Sequence, residues 1–279
     1  MNLSALYKEL RKTLSESDAR YVLRKRADLT PADIIAAADK EMEHGALALI
    51  LADLNAVQDG KPLSRIYKER EFWGLTFEIS EGTLDPRQDT ETLIGAVLER
   101  YRGAVPPKTI LDLGTGSGCI LLSLLHEFPE ARGIGIDLSE DAIKTAQKNA
   151  KNLGIGARAT FMNEGWSNEF AESLDKKVDL VVSNPPYISN LVIPNLDENV
   201  RKYDPILALD GGEDGLQAYR EIFSLLPHLL KRGGYGFFEI GFDQDSSVTR
   251  LGKESRFLVK SVHLDSQGCP RVVEFFLNK

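Results

Sequence analysis

The sequence predicts an α/β fold: a mostly parallel sheet with helices on both faces, preceded by a small helical bundle. Three observations carry this. From about residue 90, apolar runs of strand length alternate with amphipathic helical runs, the pattern of a doubly wound sheet. A glycine-rich turn, "GTGSG", stands directly between the first of those strands and its helix. The last two runs, "RFLVKSVHLD" and "PRVVEFFL", have only a turn between them, which predicts an antiparallel hairpin at one edge.

Taken in order, residues 1–73 read as helical. Leu3, Leu6, Tyr7, Leu10 and Leu14 fall on one helix face at the three-four spacing. In "LTPADIIAAA", Thr30 can cap, Pro31 suits the first helical position and Asp33 suits the first turn. "HGALALILADLNAV" reads as a more buried helix. This segment serves equally well as a structural bundle or as a partner-docking domain. Residues 74–88 read as a β-hairpin linker, because "LTFEIS" alternates apolar and polar residues and Gly82 follows. Residues 89–279 hold the alternating pattern. Strands are expected at 109–113, 132–137, 159–162, 178–183 and 235–241. Helices are expected at "CILLSLLHEF", at "SEDAIKTAQKNAKNL" with Ser139 as cap, and at "LQAYREIFSLLPHLL", the last ended by "KRGG".

The composition excludes several functions. The chain carries a net charge of −8. A protein that holds a nucleic-acid backbone needs a basic face to neutralise phosphates, so no stable direct nucleic-acid binding is expected. Cys119 and Cys269 form neither a disulfide framework nor a CxxC pair. His44, His126, His228 and His263 lack metal-ligand spacing, so no metal is expected. The longest apolar stretch is too short to span a bilayer, and the N-terminus has charges where a signal peptide needs its apolar core. The reading is a cytoplasmic monomer with no membrane association.

"ILDLGTGSG" places Gly114, Gly116 and Gly118 directly after a strand and before a helix. Glycine permits the tight turn and lets a ligand approach the backbone closely. Asp137 ends the next strand, where a carboxylate can accept both hydroxyls of a ribose. The pattern is GxGxG rather than the dinucleotide GxGxxG. It resembles the cofactor loop of class I methyltransferases, which bind S-adenosylmethionine, a ligand with a ribose but no phosphate. Cys119 reads as a packing residue, and Asp112 is placed to organise the loop.

"VVSNPPYIS" ends a buried strand in Asn184, Pro185, Pro186 and Tyr187. Proline fixes its own φ and holds the preceding residue extended. The two prolines therefore stiffen the strand end and aim two acceptors, the Asn184 amide oxygen and the Pro185 carbonyl, at one point. An NH2 group has the two donors to match. Tyr187 can lie flat on the planar group that carries it.

Taken together, these segments resemble the protein-glutamine methyltransferases of class I peptide-chain release factors, the PrmC/HemK family. The likeness runs nearly the whole length, through "FWGLTFEI", "DPRQDTETL", "LDLGTGSGCI", "GIDLSEDAI", "SNPPYI", "YDPILALDGGEDGLQAYREI" and "FFEIGFDQ". It implies a Rossmann-like class I methyltransferase sheet of seven strands. It also implies S-adenosylmethionine bound by Gly114, Thr115, Gly116, Ser117, Gly118, Asp137 and Asn184, with S-adenosylhomocysteine as product. A residue matching Trp166 lies near the adenine in the family, although a core tryptophan explains the residue as well. Asn184 to Tyr187 would hold the glutamine amide of the release factor's Gly-Gly-Gln tripeptide. Arg87 and Glu91 are either a wall of that site or a surface ion pair. Two departures stand out. The usual "PRPETE" has a proline and a glutamate replaced by Gln88 and Asp89, and Gly165 replaces an aspartate often found before Trp166. The alternatives are an amino methyltransferase acting on a flipped adenine, which presents the same planar NH2, and a non-catalytic cofactor-binding protein.

Overall fold

The structure, a computed structural model, describes residues 1–36, 38–174 and 177–278. The chain forms two compact units, residues 1–67 and the chain from Lys68 onward.

Among the described residues the first unit holds five helices, α1 (Leu3–Leu10), α2 (Glu16–Ala27), α3 (Pro31–Ala36), α4 (His44–Gln58) and α5 (Leu63–Tyr67). Each of the first three begins at a polar cap. Asn2 accepts from the Ala5 N–H, and Ser15 accepts from the Asp18 N–H. Thr30 and Asp33 cap reciprocally: the Thr30 N–H donates to Asp33 Oδ2 at 2.8 Å and the Asp33 N–H donates to Thr30 Oγ1 at 3.2 Å. The leucine stripe is the core, with Leu3, Leu6, Leu10 and Leu14 buried against Val22, Leu23, Ile50 and Leu54. Buried Asp53 is satisfied by the Arg26 fork at 2.7 and 2.8 Å and by the Tyr67 hydroxyl.

The second unit opens with a hairpin, β1 (Glu69–Phe72) and β2 (Leu75–Glu78). β1 lies inside the stretch the sequence reading made helical. The turn falls at Trp73 and Gly74, both at positive φ (51° and 69°), the geometry of a tight hairpin turn. A half-buried tryptophan before an exposed glycine gives little local signal for it. Phe72 and Phe77 are buried with Leu93, Ile94 and Ile120, so the hairpin shares the core of this unit.

Then follow α6 (Glu91–Tyr101), β3 (Thr109–Leu113), α7 (Cys119–Glu127), β4 (Arg132–Asp137), α8 (Glu140–Asn152), β5 (Ala159–Asn163), α9 (Asn168–Ser173), β6 (Val178–Ser183) and α10 (Glu198–Tyr203). The chain closes with α11 (Gln217–Leu229), β7 (Leu230–Glu239), α12 (Asp245–Glu254), β8 (Leu258–Leu264) and β9 (Pro270–Phe276). The seven strands lie in the order β5-β4-β3-β6-β7-β9-β8. All neighbours are parallel except β9, which runs antiparallel to β7 and β8. This is the expected class I methyltransferase sheet with its terminal antiparallel pair. β7 starts earlier than expected, since Leu230 already pairs with Val178 and "KRGG" runs within the strand.

The chain goes outward from β3 to β4 and β5, then returns to β6 on the other side of β3. That reversal leaves a crevice at the carboxyl ends of β3, β4 and β6. The buried Ser183 hydroxyl donates to the Leu113 carbonyl at 2.6 Å, which locks two of those strand ends together. Among the described residues no helix is long and apolar enough to cross a membrane.

Candidate active site

The glycine loop follows β3 as the spacing predicts. Gly114, Gly116 and Gly118 sit at φ of 72°, 55° and 80°, where a side chain would be strained. Asp137, at the end of β4, grips the loop: its Oδ2 accepts the Gly116 N–H at 2.9 Å and its Oδ1 accepts the Ser139 N–H at 2.9 Å. Burial holds its carboxyl above the ordinary value, and these two N–H groups offset only part of that rise. Asn149 of α8 ties the loop to the hairpin, donating to the carbonyls of Ser117 and Glu78 and accepting the Glu78 N–H. Asp112 lies wholly buried beneath the loop. Its Oδ2 accepts the Thr115 hydroxyl at 2.7 Å, and among the described residues its Oδ1 has no partner in hydrogen-bonding geometry. Burial pushes it up to about 7.

A cavity of about 590 Å³ opens above these strand ends. It is lined by Gly114, Thr115, Gly116, Ser117 and Asp137 on one side, and by Arg87, Thr90, Asn184 and Pro186 on another. Trp166 closes a third wall. Its ring lies so near Gly114 that a Cβ there would stand 3.3 Å from Cζ3. Its indole N–H donates to Glu221 at 2.7 Å, which holds the ring in place. Ile206 and Leu207 form an exposed apolar rim.

These residues fit S-adenosylmethionine. Each oxygen of the Asp137 carboxylate holds one N–H and keeps a lone pair for a ribose hydroxyl. The Gly114 backbone faces the cavity where a Cβ would crowd Trp166. The Trp166 ring offers a flat wall of the kind on which a base stacks.

The Asn-Pro-Pro-Tyr turn stands at the carboxyl end of β6. Asn184 Nδ2 donates to Thr90 Oγ1 at 3.3 Å, so the amide oxygen is the end left over for a ligand. The turn is braced from behind by "DGGEDG" (210–215), which sequence reasoning noted only as part of the family likeness. The Ile188 N–H donates to the Leu209 carbonyl, and the Gly211 N–H donates to the Ile188 carbonyl. A Cβ on Gly211 would stand 2.8 Å from Tyr187 Cα, and one on Gly215 would stand 2.4 Å from the Tyr187 oxygen. Gln244 completes the brace, donating to the carbonyls of Tyr187 at 3.0 Å and Gly215 at 3.2 Å.

Several expected site residues stand behind the cavity lining. Pro185 is buried and Tyr187 half-buried beneath the turn. Burial raises the Tyr187 hydroxyl, with the Glu239 charge adding to the shift. Gly118 starts α7, where a Cβ would crowd Ala146 and Leu122 at 3.2 Å. Glu91 accepts the Trp73 N–H at 2.8 Å, at the joint between hairpin and sheet. Arg87 lines the cavity and pairs with buried Asp204 at 2.5 Å. The substituted Asp89 pairs with Arg271 at 3.4 Å.

Thr90 and Glu239 were missed by sequence reasoning. Thr90 lies within the quoted "PRQDTE", and Glu239 is the acid that ends the apolar run "YGFFE".

The comparisons with known proteins agree with this geometry. Residues 105–236 match a family described as a methyltransferase domain. The chain is 40% identical, over 93% of its length and 87% of the relative, to a release factor glutamine methyltransferase of Bradyrhizobium diazoefficiens. It is 38% identical, over 92% of its length and 89% of the relative, to one from Agrobacterium fabrum. The solved ribosomal protein L11 methylase of Lactobacillus delbrueckii subsp. bulgaricus superposes with a TM-score of 0.50 at 18% identity, covering 71% of this chain and 82% of that one, a likeness of fold. Identity at the level of the first two, over nearly the full length and on top of a glycine loop and an Asn-Pro-Pro-Tyr turn facing one crevice, places the chain in the release factor glutamine methyltransferase family.

Proposed function

We propose that the protein transfers a methyl group from S-adenosylmethionine to the side-chain amide nitrogen of the glutamine in the Gly-Gly-Gln tripeptide of class I release factors. The observation that carries this is the orientation of Asn184, whose nitrogen is taken by Thr90 and whose oxygen is left for the cavity. Pro185 itself stands behind the lining, and its carbonyl is the second acceptor that this reading requires for an NH2 group.

An amide nitrogen is a poor nucleophile because its lone pair is delocalised. The cofactor supplies an activated methyl on a sulfonium. The residues of this chain do the rest. Asn184 and Pro185 take both N–H bonds, raise the electron density on nitrogen and aim its lone pair, and fixed dipoles of this kind cost no reorganisation during reaction; the one N–H proton displaced on methylation is lost to water. The "DGGEDG" brace and Gln244 hold the turn rigid while this happens. Arg87 and Glu91 take structural partners on either side of Thr90, which supports their place as supports of the acceptor wall. In this reading the helical unit docks the release factor.

The test is transfer of labelled methyl from S-adenosylmethionine to a purified release factor, with duplex DNA and ribosomal RNA offered in parallel. Label on the factor alone is expected. Label on nucleic acid alone would assign the site to base methylation.

A further inference from the structure

The side chain of asparagine is nearly symmetric in shape, and its two ends carry opposite hydrogen-bonding character. Either end fits the same space. Only one end can hold a substrate NH2, so something must choose. The structure shows a buried chain of groups behind Asn184 that makes the choice.

Ser183 and Phe238 are paired across β6 and β7, so the next residues, Asn184 and Glu239, leave neighbouring strand ends side by side. Thr90 is 2% exposed and Glu239 is 1% exposed. The Thr90 hydroxyl faces the Glu239 carboxyl and favours its charged form, while its oxygen takes the Asn184 Nδ2 hydrogen. A hydroxyl has one hydrogen to give. If it goes to Glu239, the oxygen can only accept from Asn184.

We propose that Glu239, acting through Thr90, sets the orientation of the Asn184 amide and so keeps Oδ1 turned toward the acceptor. Thr90 and Glu239 are positioning residues that act through Asn184. The inference rests on the proposed amide acceptor.

Other groups face Glu239 from every side. They are Arg271 of β9, Asp89 before α6, the Tyr187 hydroxyl and Cys119 of α7, while Tyr219 of α11 donates its hydroxyl to the Glu239 backbone carbonyl. Arg271 and the two facing hydroxyls favour the carboxylate, and Asp89 opposes it. Burial outweighs them and pushes Glu239 up to about 7. Among the described residues its Oε2 has no partner in hydrogen-bonding geometry. Below that pH the protonated carboxyl no longer draws the Thr90 hydrogen. The hydroxyl can then turn toward Asn184, whose amide flips and presents donors to donors. Turnover should fall on the acid side.

The experiment compares Thr90→Val, Thr90→Ser and Glu239→Gln with wild type. It measures kcat and KM for a release factor across pH, and cofactor affinity by calorimetry. Thr90→Val keeps the shape and removes the hydroxyl. Its kcat should fall about tenfold, the worth of ~1.4 kcal/mol, with cofactor affinity unchanged. Thr90→Ser should restore kcat to within about twofold, because it returns the hydroxyl that makes the bond. Glu239→Gln cannot titrate and should lose the acid limb of the kcat profile. Wild-type kcat in Thr90→Val would overturn the inference. So would a Thr90→Ser as slow as Thr90→Val, or an acid limb unchanged in Glu239→Gln. Should Thr90→Val not fold, the Glu239→Gln profile decides by itself. Wild type that transfers no methyl to the factor would contradict the acceptor reading itself, a different failure from an active wild type whose variants match it.

Discussion

Gly215→Ala tests the brace behind the Asn-Pro-Pro-Tyr turn. Gly215 sits at φ 73°, in the left-handed region, so alanine there costs about 1–2 kcal/mol of backbone strain. The larger effect is local. The new Cβ would stand 2.4 Å from the Tyr187 carbonyl oxygen and 2.8 Å from Gln244 Nε2. Ordinary contact begins near 3.4 Å. The turn must therefore recede by up to about 1 Å, and a displacement of that size at a positioned reactant costs on the order of 100-fold in rate. The cofactor loop lies on other strands and should be spared. Steady-state kinetics on a release factor should show kcat down by roughly 10- to 100-fold, while calorimetry shows cofactor affinity within about threefold. Gly154→Ala is the control. Gly154 has nearly the same φ of 71° but open space around its Cβ position, so it should lose stability without losing turnover. Full activity in Gly215→Ala would refute the brace. Equal loss in both variants would refute its local origin.

Three further outcomes are expected. Asn184→Ala should lower kcat by about 100-fold or more, with cofactor affinity nearly unchanged, since the missing acceptor acts on the other substrate; titration calorimetry beside a rate assay separates the two. Asp137→Ala should weaken cofactor binding by about 10- to 100-fold, the worth of charge-assisted hydrogen bonds and of the Gly116 tether; unchanged affinity in calorimetry would remove the ribose role. Asp112 binds its proton more tightly when folded, so its stabilising contribution is full below the unfolded value of 3.8 and is lost as pH rises through about 7. Asp112→Asn should therefore gain on wild type by up to ~1.4 kcal/mol per pH unit across that window, read as urea midpoints at pH 5 and 8. A gap that does not grow with pH would contradict the buried carboxyl.

What could be read from the sequence was local. The glycine loop, the acid ending β4 and the Asn-Pro-Pro-Tyr turn each announce themselves within a few residues of a strand end, and the alternation of strands and helices implies a mostly parallel sheet. The sheet and its terminal antiparallel pair follow from the same patterns. β1 did not show, because its four residues are strand through their pairing with β2 and the burial of Phe72. The brace did not show either: Gly211 and Gly215 enter only within the family-like segment "YDPILALDGGEDGLQAYREI", and only the fold brings them against Tyr187. Glu239 looks like any acid at the end of an apolar run. Its place beside Asn184 depends on the register of β6 with β7, which no local pattern encodes. For Trp166 the two readings meet, since the ring packs on the core and also walls the cavity.

The central claim is that the acceptor is one glutamine side chain. The most direct measurement is tandem mass spectrometry of a release factor after incubation with this protein and S-adenosylmethionine, alongside the same factor with its Gly-Gly-Gln glutamine changed to alanine. A single methyl on that glutamine's side-chain amide, absent from the alanine factor, is the predicted result. Methylation at any other residue, or equal methylation of both factors, would contradict it.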